Sequence, residues 1–182
     1  MIPLVIHNTD ILDPAGARQT TTYQGATESH IHAAISSSSS AFPAWSRTAP
    51  SYRRDLLRNV ARLIHERSAA LCEEMQNETH TPPDWAQGNV TSAIELLEET
   101  AGLISEVVRG SLPVTKGDSV AMVVKEPVGV VLAIAPWNAP LFLGFRAIVA
   151  ALAAGNTVLF KVCSSPPPPL QPCTHTYIKE KC

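Results

Sequence analysis

The stretch from Pro127 to Phe160 constrains the fold of this chain more than any other. Pro127-Val128-Gly129-Val130-Val131-Leu132-Ala133-Ile134-Ala135 is a continuous β-branched and apolar run without alternation, the pattern of a strand buried on both faces. Pro140 to Ala154 is apolar almost all round, with Arg146 its only charge, and Gly155-Asn156 follows as a helix-ending signal. Thr157-Val158-Leu159-Phe160 then reads as a second buried strand. Strand, helix and strand within about thirty residues is the size of a right-handed βαβ unit with a parallel pair. The expected fold class is therefore α/β. Between the first strand and the helix lies a polar elbow, Pro136-Trp137-Asn138-Ala139. Open parallel sheets bind ligands at the carboxyl ends of their strands. Asn138 is thus the first candidate for a functional side chain, and Lys161, which ends the second strand, stands at the same end.

The residues before this unit read as helices preceded by a small β element. Asp13-Pro14-Ala15-Gly16 is a turn signal between Leu4–Ile6 and Gln19–Tyr23, giving an expected hairpin. Thr27 suits the N-cap of a helix through Ala41. The serine run Ser36–Ser40 is read as helix rather than linker, since each serine costs only about a few tenths of a kcal/mol relative to alanine. Ser51 is the expected cap of a helix from Tyr52 to His65, and Ser68 restarts one carrying Leu71, Cys72 and Met75. Ile94, Leu97, Ala101, Ile104 and Val108 form the clearest amphipathic stripe, and such stripes pack inward. From Ser111 to Lys125, a turn at Lys116-Gly117-Asp118 separates two short β-prone stretches, the second being Val120–Val124. An edge hairpin is the plain expectation there.

Composition removes several function classes. A net charge of −2 with mixed signs leaves no basic stripe for nucleic acid and no polybasic membrane patch. Pro140–Ala154 is shorter than the roughly twenty apolar residues a span requires, so no membrane helix is expected. Met1–Asn8 lacks the basic leader of a signal peptide. Four scattered cysteines suit a reducing, cytoplasmic compartment. Asn77-Glu78-Thr79 and Asn89-Val90-Thr91 match the glycosylation sequon and, without an export signal, are read as accidental. His30 and His32 stand two apart and share no helix face, and Cys173-Thr174-His175 lacks zinc-ligand spacing, so no metal site is expected.

Glu126-Pro127-Val128-Gly129-Val130-Val131, Pro136-Trp137-Asn138-Ala139-Pro140, Ala151-Leu152-Ala153-Ala154-Gly155-Asn156-Thr157-Val158 and Lys161 together resemble the NAD(P)-dependent aldehyde dehydrogenase superfamily. Upstream, Thr27-Glu28 through Ala41-Phe42-Pro43-Ala44-Trp45 and Arg53-Arg54-Asp55-Leu56-Leu57 are similar to its first helices, so the resemblance covers Ile6 to Lys161. There is a fainter likeness to fungal aromatic-aldehyde dehydrogenases. The resemblance implies the N-terminal part of a Rossmann-like cofactor-binding domain over residues 1–162. It also implies a parent reaction, the oxidation of an aldehyde to a carboxylic acid with NAD or NADP. In that family the asparagine of the Pro-Trp-Asn turn donates its side-chain amide to the oxyanion formed when a cysteine thiolate attacks the carbonyl, and Asn138 matches it. Ala135, Pro136 and Trp137 would line the cofactor's path, and Lys161 would reach the adenosine ribose. Ser164 stands where the family commonly has a glutamate making a second ribose contact. The segment at 111–125 matches a hairpin that joins subunits, which implies homo- or hetero-oligomers through Val120–Val124.

After Lys161 the resemblance stops. Pro166–Pro169 and the polar residues around them suit an extended, disordered tail over 163–182. In the family the pyrophosphate-cradling glycine turn, the general-base glutamate and the nucleophilic cysteine all lie further on. Cys72 falls in the apolar pattern of a helix and reads as a small hydrophobe. Cys163, Cys173 and Cys182 have no flanking positive helix end or basic cluster to lower a thiol pKa. The 182 residues are therefore expected to be inactive alone. The alternative is a non-enzymatic interaction fragment that pairs with a full-length relative, or a truncated gene product. Exposed apolar area is also expected, because two strands and a few helices cannot cover both faces of a parallel sheet.

Overall fold

The computed structural model describes residues 26–162. The expected hairpin between Leu4 and Tyr23 and the tail, including Ser164, Cys163, Cys173 and Cys182, lie outside them. Five helices and two strands run in the order α1 (Glu28–Ser46), α2 (Pro50–Glu66), α3 (Ser68–Thr79), α4 (Pro83–Val107), β1 (Val130–Ala135), α5 (Pro140–Ala153), β2 (Thr157–Val162).

Thr27 caps α1 as expected. Its side chain accepts from the His30 backbone, and the His30 ring accepts from the Thr27 backbone N–H at 3.3 Å, so two orphan donors are satisfied reciprocally. The serines stay helical, and α1 continues past Ala41 through Pro43 to Ser46. Ser51 does not cap α2. Ala49 is the N-cap and Pro50 opens the helix, because proline's preset φ and missing N–H suit the first helical position. A single residue, Arg67, separates α2 from α3.

The core forms where the α4 stripe meets its neighbours. Val90, Leu97, Ala101 and Ile104 are buried, and against them pack Leu57, Ala61 and Ile64 of α2, Cys72 and Met75 of α3, and Val149 and Ala153 of α5. Cys72 is thus a core side chain, with its thiol 3.7 Å from the Gln87 amide oxygen. Leu97 is completely buried. Leu97→Ala is expected to cost about 2–5 kcal/mol, through lost transfer energy and the cavity left behind. A lowered midpoint in thermal unfolding followed by circular dichroism checks this.

β1 and β2 pair in parallel, with Val130 opposite Thr157, Ala133 opposite Phe160 and Ala135 opposite Val162. The expected βαβ unit is present, with β1 starting three residues later than the apolar run. Gly129 is tied at both ends of its peptide: its N–H donates to the Asn156 side chain and its C=O accepts from Thr157. The ladder begins there, and Val128, before it, is exposed.

Alternation sorts the side chains into two layers. Phe160 faces α5, where Gly144 lets the helix approach its ring. Thr157 faces the other way and donates to the Ser38 carbonyl of α1 at 3.0 Å. The sheet thus lies between α5 and α1. Among the described residues the α1 side of β1 is only partly covered, so the strand expected to be buried on both faces is buried on one. Val130 is 38 %, Leu132 51 % and Ile134 51 % exposed, whereas Ala133 and Ala135 are buried.

The expected hairpin at 111–125 is reduced to one antiparallel bridge, Ser111 to Val123, closed over a turn that carries Gly117. Gly110 permits it, since a Cβ there would come within 2.5 Å of the Val123 carbonyl oxygen. No strand forms from Val120 to Val124, and Val120, Met122 and Val124 are exposed.

Candidate functional site

β1 ends at Ala135, and the chain turns through Pro136, Trp137 and Asn138 before Pro140 opens α5. Ala135 and Ala139 are buried and anchor the elbow, Trp137 is half-buried, and Pro136 and Asn138 are exposed. Ala139 is the N-cap of α5, and no side chain caps that helix. The Asn138 carboxamide is therefore not used for capping, and it makes no hydrogen bond among the described residues. An exposed, unused amide at the carboxyl end of a parallel strand is available to a ligand.

The backbone of that residue is held from a distance. Trp85, in the first turn of α4, donates its indole N–H to the Asn138 carbonyl at 3.3 Å while its ring stays 54 % exposed. One turn on, the buried Asn89 amide donates to the Trp85 carbonyl at 3.0 Å. Sequence reasoning missed Trp85. The one available signal was a large aromatic next to Ala86 and off the stripe that continues through Val90 and Leu97, since an exposed tryptophan is uncommon. The burial of Asn89 also disposes of the second sequon as an acceptor.

Lys161 reaches the same end through a second corner. α5 closes in a Schellman arrangement: Asn156 N–H donates to Ala151 and Gly155 N–H to Leu152, with Gly155 at φ 93°. The Asn156 side chain donates back to the Ala151 carbonyl and accepts from Gly129 N–H, joining the helix end, β1 and β2 at one residue. Register then places Lys161 beside Ile134, half-buried at the carboxyl end of β2. Arg53 packs under this corner, buried, with one guanidinium nitrogen donating to the Thr48 carbonyl at 2.9 Å. Burial lowers its pKa. A Cβ on Gly155 would lie 3.2 Å from that same nitrogen. Gly155→Ala combines this contact with a positive φ, and is expected to cost about 1–3 kcal/mol. A thermal melt of the variant beside the parent chain measures it.

The structure therefore brings Ala135, Pro136, Trp137, Asn138 and Lys161 to one end of the two-stranded sheet. Among the described residues no group of three or more His, Cys, Asp or Glu could hold a metal ion. His30 works in the α1 cap, and the ring of His32 lies 3.7 Å from Glu28. No described helix is long and apolar enough to cross a membrane.

Residues 6–178 match the aldehyde dehydrogenase family. The chain belongs to that family. Vanillin dehydrogenase from Pseudomonas sp. (strain HR199 / DSM 7063) is 40% identical over 146 residues, which are 80% of this chain and 29% of that protein. Among solved structures, the salicylaldehyde dehydrogenase from Pseudomonas putida G7 complexed with salicylaldehyde superposes with a TM-score of 0.71 at 33% identity, covering 74% of this chain and 28% of that one. A Staphylococcus aureus betaine aldehyde dehydrogenase double mutant in complex with NAD+ gives a TM-score of 0.71 at 28% identity over 75% of this chain and 28% of that one. The 182 residues thus span less than a third of the length of these aldehyde dehydrogenases. Together these matches bear out the family resemblance and the placement of the fold in the N-terminal cofactor-binding region.

Proposed function

We propose that this chain is the oxyanion-side portion of an NAD(P)-dependent aldehyde dehydrogenase that oxidises aromatic aldehydes to carboxylic acids. The observation that carries this reading is the unused, exposed Asn138 amide at the end of β1 in a chain of this family. In the reaction a thiolate from the part of the enzyme outside these residues attacks the aldehyde carbonyl. The carbonyl oxygen becomes an anion, and the Asn138 N–H donates to it. A fixed donor of this kind favours the transition state because its charge partner exists only there.

The open carboxyl ends of β1 and β2 fit a nucleotide. Ala135 brings no bulk to the strand end, Pro136 and the half-buried Trp137 offer an apolar shelf, and Lys161 lies where ribose hydroxyls would find a donor. NAD or NADP supplies the hydride acceptor when bound. Ser164, in place of a second ribose contact, belongs to the same reading.

Trp85 supports the aromatic class. Its ring is exposed and its N–H donates to the Asn138 backbone carbonyl, so an apolar aromatic surface lies beside the elbow that carries the amide. The names of the vanillin and salicylaldehyde relatives point the same way. The test is a chimera in which residues 26–162 replace the matching segment of the Pseudomonas vanillin dehydrogenase. Trp85→Ala is expected to lower kcat alike for vanillin and an aliphatic aldehyde, since it frees the Asn138 carbonyl, and to raise KM by about two- to tenfold for vanillin alone, the size of one aromatic contact. An equal rise in KM for both substrates would remove the aromatic assignment.

A second reading, pairing with another subunit through Val120–Val124, is favoured by the exposure of that segment, where Val120 is 89 % and Met122 71 % accessible.

A further inference from the structure

We propose that Asn89 and the indole N–H of Trp85 act in series as positioning residues for the Asn138 amide, setting from the start of α4 the direction in which that amide donates. The inference deepens the proposed reaction and rests on it. Little else fixes the elbow. Among the described residues no backbone–backbone hydrogen bond reaches residues 136–138, and no side chain caps α5. Ala135 and Ala139, both buried, anchor its two ends. Between them the chain is tied at the Asn138 carbonyl, which accepts from Trp85 at 3.3 Å. With that carbonyl freed and both ends still anchored, the peptide planes on either side of Asn138 can rotate together, which swings the Cα–Cβ bond that carries the amide.

Trp85 can hold the elbow only if its own turn is held. Pro82 is the N-cap of α4 and offers no side-chain cap, so the first turn is prone to fray. Asn89 ties it down, its Nδ2 donating to the Trp85 carbonyl at 3.0 Å. In an α-helix that carbonyl already receives the N–H four residues on; the amide gives it a second donor. The cost falls on the other half of the amide. Asn89 is only 6 % accessible, and its Oδ1 is buried with no partner. A buried orphan acceptor destabilises, and an apolar side chain would suit the position better. Stability alone therefore does not account for an asparagine here, whereas a requirement on the placement of Trp85 does.

The experiment measures kcat and KM for vanillin and an aliphatic aldehyde in the active chimera carrying residues 26–162, with a double-mutant cycle between Trp85 and Asn138. Trp85→Phe keeps an aromatic ring and removes the N–H. It should lower kcat about ten- to a hundredfold for both aldehydes, up to the cost of a misplacement of about 1 Å, with little change in KM. In the Asn138→Ala background the same substitution should have little further effect, because an absent amide cannot be re-aimed. Asn89→Val should reproduce part of the loss, about three- to tenfold, within the coupling range of residues in one network. Asn89→Thr should recover most of it, since a threonine hydroxyl in a helix bonds to the carbonyl four residues back. Valine and threonine share a shape, so comparable thermal midpoints for these two variants would make their difference in kcat a report on the donor and not on the fold. A loss in Trp85→Phe that persists in full in the Asn138→Ala background would give the indole a role of its own and overturn the inference. So would an undiminished kcat in Trp85→Phe or Asn89→Val, or equal losses in Asn89→Val and Asn89→Thr. Should Asn138→Ala alone leave turnover intact, the proposed reaction falls and this inference falls with it.

Discussion

Purified alone and supplied with NAD+ or NADP+ and vanillin, the 182-residue chain is expected to produce no reduced cofactor above the uncatalysed rate. Loss of the nucleophile from an acyl-transfer enzyme costs about six orders of magnitude, and Cys72, the cysteine among the described residues, cannot replace it. Cys72 lies in the helical core between α3 and α4, on no element that bears Asn138. A nucleophile needs a positioned base as well as a thiolate, and no such pair accompanies Cys72. Absorbance at the wavelength of the reduced nicotinamide, with the intact vanillin dehydrogenase as reference, measures the difference. Turnover by the chain alone would mean that one of its cysteines reaches the carbonyl held by Asn138.

Within an active chimera, Asn138→Ala is expected to lower kcat by about two to three orders of magnitude, the cost of removing one oxyanion donor. Affinity for the cofactor should change little, because the side chain caps no helix and supports no neighbour. Trp85 holds the backbone carbonyl of residue 138 and not its side chain, so the elbow keeps its shape in the variant. The split between a fallen kcat and an unchanged cofactor affinity separates a transition-state contact from a structural one. Asn138→Asp should be at least as damaging, since it puts a negative charge where the oxyanion forms.

The βαβ unit was legible in the sequence because its signals are local. The apolar run, the proline at the start of α5 and the Gly155-Asn156 stop each act within a few residues, and all three hold in the structure. The α4 stripe was legible for the same reason. Features that depend on competition or on distant partners were not. Ser51 and Pro50 are both helix-start signals, and proline at the first position prevailed. The 120–124 stretch has β-forming residues but only one bridging partner. β1 reads as doubly buried, yet its second face needs layers that the described residues do not contain. The corner residue Asn156 signalled a helix end, but its bonds to Gly129 come from the return of β2 to β1. Trp85 and Asn138 stand 53 residues apart, and no periodicity links them.

The chimera carrying residues 26–162 in the Pseudomonas vanillin dehydrogenase framework, assayed for kcat with vanillin and NAD+ beside its Asn138→Ala variant, tests the central claim most directly. The account predicts measurable dehydrogenase turnover by the chimera, and a fall of about two to three orders of magnitude in that turnover when the amide is removed. A folded chimera that binds NAD+ and turns over no faster than its Asn138→Ala variant would contradict it.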